Sequence, residues 1–141
     1  MTVGLKHVKL WMNNKGMMCK VPGKWDPMVS VVCWNDKYVS GGIQGTLYLW
    51  SGTTSISTKA HEGSVDCLSV DQNGTLFSGC SKGVINKWKY SGGKLVLDQK
   101  VLNMEEIDKF SPGVLSLDFS PDNYLICTNS SSIYEVPKNS K

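Results

Sequence analysis

Two histidines, five cysteines and one short acidic run are the residues of this 141-residue chain whose types could do chemistry. His7 and His61 would act as general bases only with a Ser or Cys and an orienting carboxylate beside one of them, because an imidazole activates a nucleophile through a direct hydrogen bond. The positions of both read instead as a strand start and a structural turn. Cys19, Cys33, Cys67, Cys80 and Cys127 are odd in number and scattered, with no Cys-x-x-Cys pair, so reduced thiols in strands are expected rather than a metal site or a disulfide framework. Glu105, Glu106 and Asp108 lack the Asp-x-Asp-x-Asp-Gly spacing of a calcium loop, and adjacent glutamates diverge on helix or strand alike. A solvated acidic loop is expected there. The Gly-rich turns lack the G-x-x-x-x-G-K-[ST] phosphate cradle. The chain therefore reads as a binding surface and not an enzyme, with no metal or cofactor expected.

The charges narrow the partner. All 15 basic side chains are lysine, against 12 carboxylates, for a net charge of +3. Without arginine there is no planar fork for bidentate capture of phosphate or of base edges, which argues against a nucleic-acid reader. Lys82, Lys87, Lys89, Lys94 and Lys100 crowd one stretch in which Asp98 is the local carboxylate. They form the candidate electropositive patch for an acidic protein partner. Trp25, just before Asp26-Pro27 in a connecting segment, is the candidate aromatic contact. No apolar run approaches the roughly 18 residues of a membrane-spanning helix and no secretory leader stands at Met1, so a cytoplasmic, non-membrane protein is expected.

What must position these residues is a repeat. HVKLW (His7–Trp11), TLYLW (Thr46–Trp50), VINKW (Val84–Trp88) and SIYEV (Ser132–Val136) align end to end, with the tryptophans 39 and 38 residues apart and Val136 a further 48 on. The excess falls in Leu102 to Pro112, an inserted loop or short helical turn. Upstream, YVSGGIQG (Tyr38–Gly45) matches LFSGCSKG (Leu76–Gly83), a short strand and a Gly-rich turn. Opening strands start each unit at Val29-x-x-Val32-x-Trp34, Val65-x-x-Leu68-x-Val70 and Val114-x-x-Leu117-x-Phe119. A fourth stretch follows each tryptophan: MMCKVP, TSISTKA and KLVLDQKV. Four strands per roughly 40 residues make a propeller blade, since one such sheet cannot cover both of its faces. The predicted strands lie near 28–34, 37–42, 46–50, 64–70, 75–80, 84–88, 113–119 and 124–128. The fold class is all-β, a single partial β-propeller over 1–141. It holds about three and a half four-stranded blades, near 1–22 (partial), 28–60, 61–101 and 113–136 (partial), and looks like part of a longer propeller. Open strand edges at both ends predict self-association or completion by the rest of a parent propeller.

This pattern resembles the WD repeat, which places Gly-His before the first strand, Ser or Thr in the second, Asp in the next turn and Trp in the third. The third unit has His61, Ser78 and Trp88 but Ser81-Lys82-Gly83 where the Asp belongs, and the second has Ser40 and Trp50 without the His or Asp. The resemblance implies structural roles for these residues and for Trp11, with His61 donating to Ser78 and Ser78 bridging to Trp88. The segments TVGLKHVKLW (Thr2–Trp11), GGIQGTLYLW (Gly41–Trp50), KAHEGSV (Lys59–Val65) and LICTNSSSIYEV (Leu125–Val136) resemble, in this order, the echinoderm microtubule-associated protein-like family, in the first of its two fused propellers. Membership would imply microtubule and tubulin binding and a cytoskeletal location. The alternative is a generic WD-repeat scaffold that holds a peptide in a signalling or ubiquitin-ligase complex.

Overall fold

The fold is taken from a computed structural model, which describes residues 1–4, 7–11, 18–20 and 25–139; the side chains of His7, Leu10, Trp11 and 18–20 lie outside that description. Fourteen strands are found among the described residues. They are β1 (Thr2–Gly4), β2 (His7–Trp11), β3 (Met18–Lys20), β4 (Met28–Trp34), β5 (Lys37–Gly42), β6 (Thr46–Ser51), β7 (Thr54–Lys59), β8 (Cys67–Val70), β9 (Leu76–Gly79), β10 (Val84–Ser91), β11 (Lys94–Asn103), β12 (Val114–Phe119), β13 (Asn123–Thr128) and β14 (Ile133–Pro137). They form four antiparallel sheets in chain order, β1–β3, β4–β7, β8–β11 and β12–β14. The all-β partial propeller and its division into three, four, four and three strands agree with the sequence pattern.

Turn chemistry explains most strand ends. Strand β10 runs on to Ser91 rather than ending at Trp88, because Gly92 and Gly93 both adopt positive φ (58° and 84°) and make a two-residue hairpin into β11. The inserted segment forms a 3-10 turn at Met104–Glu106, with Met104 buried beneath it.

Apolar side chains alternate along the strands, and the second and third sheets bury both faces against their neighbours. Val8, Met28 and Trp50 lie between the first two sheets. Trp34, Val39, Leu47, Leu49, Val65, Leu76, Trp88 and Leu95 fill the second interface, and Phe77, Ile85, Val114, Leu117, Ile126 and Val136 the third. Strand alternation decides which interface a residue joins, so Leu76 faces back while its neighbour Phe77 faces forward.

The third and fourth sheets each approach the one before most closely through a valine. Val65 N–H donates to the Gly42 carbonyl and Val114 N–H to the Cys80 carbonyl, each at 3.0 Å. A Cβ added at Gly41 or Gly79 would lie 2.7 Å from Val65 or Val114 respectively, so only glycine lets the backbones come this near. Register also corrects the alignment of the opening strands. Ser30 pairs with Gly41, Cys67 with Gly79 and Ser116 with Cys127, which puts Met28 and not Val29 at the place of Val65 and Val114. Burial agrees: Met28 is 2% exposed and Val29 47%. A bulge between Met28 and Ser30 recurs between Val114 and Ser116, so the extra residue, Val29 or Leu115, turns outward.

Trp50 and Trp88 are almost fully buried. Replacing Trp88 by alanine is expected to lower the unfolding free energy by about 3–5 kcal/mol, as the loss of a large core aromatic does. Denaturant titration of the wild type and Trp88→Ala measures it, and a loss under about 1 kcal/mol would place the core elsewhere.

Candidate functional site

The polar residues singled out by the repeat converge in the middle of the second and third sheets. Trp88 Nε1–H donates to Ser78 Oγ at 2.8 Å, and His61 Nε2 lies 2.7 Å from the same oxygen. An indole nitrogen can only donate, so Ser78 accepts from Trp88 and its single proton has His61 Nε2 as its acceptor. Ser78 therefore donates to His61, the reverse of the direction expected, and the ring proton is assigned to Nδ1. Burial, and secondarily the Lys59 charge, lower the His61 pKa from 6.5 to about 4, which keeps the ring neutral and able to accept.

The second sheet repeats this chain with a different last member. Trp50 Nε1–H donates to Ser40 Oγ at 2.8 Å, and Ser40 donates to Met28 Sδ at 3.0 Å. A thioether is a weak acceptor but an apolar one, so Met28 both closes the chain and packs beneath Trp50. Sequence reading missed Met28; the signal was its register opposite Gly42. Trp25 stacks edge-on against Trp50, with centroids 4.9 Å apart, and against Tyr48. It is half-buried in the wall between sheets and so offers a partner little free ring surface. The side chain of Trp11 lies outside the described residues.

The fourth sheet has no such chain, because Ile126 and Val136 stand where Ser78 and Trp88 do. Its polar anchor is Asp108, which is buried in place of the solvated loop expected of the acidic run. The Phe110 and Ser111 amides donate to its Oδ1, and Ser130 Oγ (2.8 Å) and Tyr134 Oη (3.1 Å) donate to Oδ2. The Ser130 bond first, then the Ser111 amide, hold its carboxyl below the ordinary range. Asp108 thus ties the insertion to the fourth sheet. Glu105 and Glu106 are exposed as expected.

The five lysines do not form one surface. Asp98, the extra residue of a bulge in β11, lies 3.4 Å from Lys87 Nζ and 3.3 Å from Lys89 Nζ. These lysines, with Lys89 foremost, draw the Asp98 pKa down. Strand alternation sets Lys87 and Lys89 on the face opposite Trp88. Lys100 pairs with Asn86 on the Trp88 face, where it and Lys82 join Lys59, Glu62 and His61 around a cavity of about 330 Å³. Lys94 is exposed at the β10–β11 hairpin. No catalytic triad or cluster of metal-ligating side chains occurs among the described residues.

No protein-family model matches the chain. Solved structures share its fold. The WD40 β-propeller domain of Doa1 superposes with a TM-score of 0.75 at 18% identity, covering 99% of this chain and 46% of that one. The computationally designed Ika4 protein gives 0.71 at 18% identity (93% and 79%), and the designed Ika8 protein 0.66 at 17% (97% and 42%). The chain spans less than half the length of the Doa1 domain and of Ika8. It has a WD-repeat-type propeller fold.

A histidine whose pKa falls from 6.5 unfolded to about 4 folded makes stability depend on pH in a fixed sense. The unfolded chain binds the extra proton first, so the His61 contribution is complete above pH 6.5 and is lost as pH falls toward 4. The loss over that window should be on the order of 3 kcal/mol. His61→Met, which replaces the titrating imidazole by a thioether, should flatten this part of the stability profile in chemical denaturation at stepped pH. An unchanged slope would mean that His61 is not the titrating group.

Proposed function

We propose that the chain is a non-catalytic protein-binding arc of a propeller, and that its partner is tubulin in microtubules, in the cytoplasm. What supports a binding role is how the polar side chains are used. The groups able to do acid–base work are spent on holding sheets: His61 closes the Trp88–Ser78 chain and Asp108 is filled by four donors. The lysines, in contrast, open outward. Lys59, Lys82 and Lys100 border one cavity, and Lys82 occupies the turn position that carries Asp in WD repeats.

The tubulin reading is supported by the resemblance of the four quoted segments to the echinoderm microtubule-associated protein-like family, together with charge. Tubulin's C-terminal tails are acidic, and long-range attraction to a lysine-lined cavity suits flexible acidic chains. Exposed pairs contribute about 0–1 kcal/mol each, so several must act together. Lys82 and Lys100 carry the contact better than Lys87, whose charge Asp98 already answers.

Co-pelleting with polymerised tubulin tests the proposal. Binding should fall steeply with salt, as the Debye length shrinks from about 10 Å at 0.1 M to 3 Å at 1 M. The Lys82→Glu, Lys100→Glu double variant should lose most binding while keeping its unfolding midpoint, and Lys87→Glu with Lys94→Glu should lose less. Binding indifferent to salt and to Lys82 and Lys100 would reject this surface. Absence of pelleting, with capture of a short motif peptide instead, would favour the generic scaffold.

A further inference from the structure

The cavity bordered by Lys59, Lys82 and Lys100 is walled by the second and third sheets, which have all four strands and a sheet on either side. Its wall is not purely cationic. Leu97, Val84 and Ala60 line it together with the lysines. Leu97 is 49% exposed, an aliphatic side chain left facing solvent in the middle of β11. Attraction of charge alone gives it no role.

The repeat shows that this wall is particular to the third sheet. Trp88 pairs with Leu97 and Asn86 with Lys100, whereas in the second sheet Trp50 pairs with Ser55 and Tyr48 with Ser57. The turn position of Lys82 in SGCSKG is that of Gln44 in SGGIQG. Three neutral polar positions of one unit are therefore a leucine and two lysines in the next, and all three of these border one cavity. The same strand pairing forms without them, so the fold does not call for them.

The bulge in β11 is what brings them together. In a regular strand residues three apart point to opposite faces. Asp98, the extra residue, cancels one alternation, so Leu97 and Lys100 share the Trp88 face. The same bulge turns the Asp98 carboxylate away, to Lys87 and Lys89, and keeps it from neutralising the cavity. Bulges re-aim side chains in this way beside binding sites. Lys59 Nζ donates to the Gln44 carbonyl at 2.7 Å, but no ion pair joins Lys82 or Lys100 to a carboxylate among the described residues.

We infer that the cavity seats one apolar side chain of an acidic peptide, packed on Leu97 and Val84, with the carboxylates that flank it on Lys82 and Lys100. The inference rests on the reading that this cavity meets an acidic chain, and it adds what such a chain must carry. At about 330 Å³ the cavity holds a side chain and its flanks rather than a folded element, near the lower end of ligand clefts, about 300–1,000 Å³. The two kinds of wall divide the work. Exposed lysines draw in any acidic chain with little selectivity, and burial of the apolar side chain decides which stretch of it stops here.

Fluorescence anisotropy with two labelled peptides tests the inference, one a leucine flanked by two glutamates on each side and the other its serine counterpart. The leucine peptide should bind about tenfold more tightly, at the low end of what burying a leucine gives, because the cavity is open to solvent. Added salt should weaken both peptides and leave their ratio in place, since screening acts on the charges alone. Leu97→Ser, which installs the side chain found at the equivalent place in the second sheet, should bring the two peptides to one dissociation constant without moving the unfolding midpoint. Lys82→Glu should weaken both by a similar factor and keep the ratio. Equal binding of the two peptides by the wild type, binding of neither, or a leucine preference that survives Leu97→Ser would each overturn the inference. If tubulin pelleting still depends on Lys82 and Lys100 in any of these cases, the cationic surface stands and only the apolar seat is removed; absent pelleting removes the underlying reading as well.

Discussion

The contact between a valine of one sheet and a glycine of the sheet before it sets the spacing on which everything else in this molecule depends. With Gly41 and Gly79 in place, the inner strands come close enough for the Val65 and Val114 amides to reach the Gly42 and Cys80 carbonyls. At that separation a Cβ at Gly41 or Gly79 has no room, as close-packed interiors feel even one added methyl group. The constraint is local and repeated. Each sheet therefore depends mainly on its neighbours, as in other repeat proteins.

The buried polar chains show how much latitude the spacing leaves. An indole must find an acceptor when it is buried, and Ser40 and Ser78 supply it with nearly the same geometry. The serine proton then needs an acceptor of its own, and a thioether serves in one sheet and a neutral imidazole in the next. The fourth sheet discards the whole chain for Ile126 and Val136, leaving no polar atom to satisfy. Lys82 follows from the same latitude. With His61 neutral and accepting at Nε2, the turn need not carry a carboxylate, and the position is free for an outward charge.

Strand order was legible because tryptophan, glycine and β-branched residues recur at fixed offsets, and those offsets are what pairing demands. Three features were not. The bulge at Val29, matched at Leu115, turns one apolar residue of the opening strand outward without changing its composition, so the apolar pattern does not tell Val29 from Met28. Asp108 looks like a solvated acid because its donors Ser130, in the β13–β14 turn, and Tyr134, in β14, lie more than twenty residues away. The lysines look like one cluster in sequence, yet alternation sends Lys87 and Lys100 to opposite faces and the bulge delivers Asp98 to only one of them. Periodicity conveys which residues share an element; it is silent on contacts that cross between elements.

The outermost strands have a further consequence. Strand β11 is irregular in two places, where its register against β10 slips, and its exposed middle carries Asp98, Gln99 and Lys100. Strand β7 carries Thr54, Ser55, Ser57, Thr58 and Lys59. Bulges, charges and short polar rims are what discourage a foreign strand from zipping onto an exposed backbone, the first step of amyloid-like edge aggregation. The molecule is thereby guarded sideways: what its rims resist is the indefinite widening of a flat sheet.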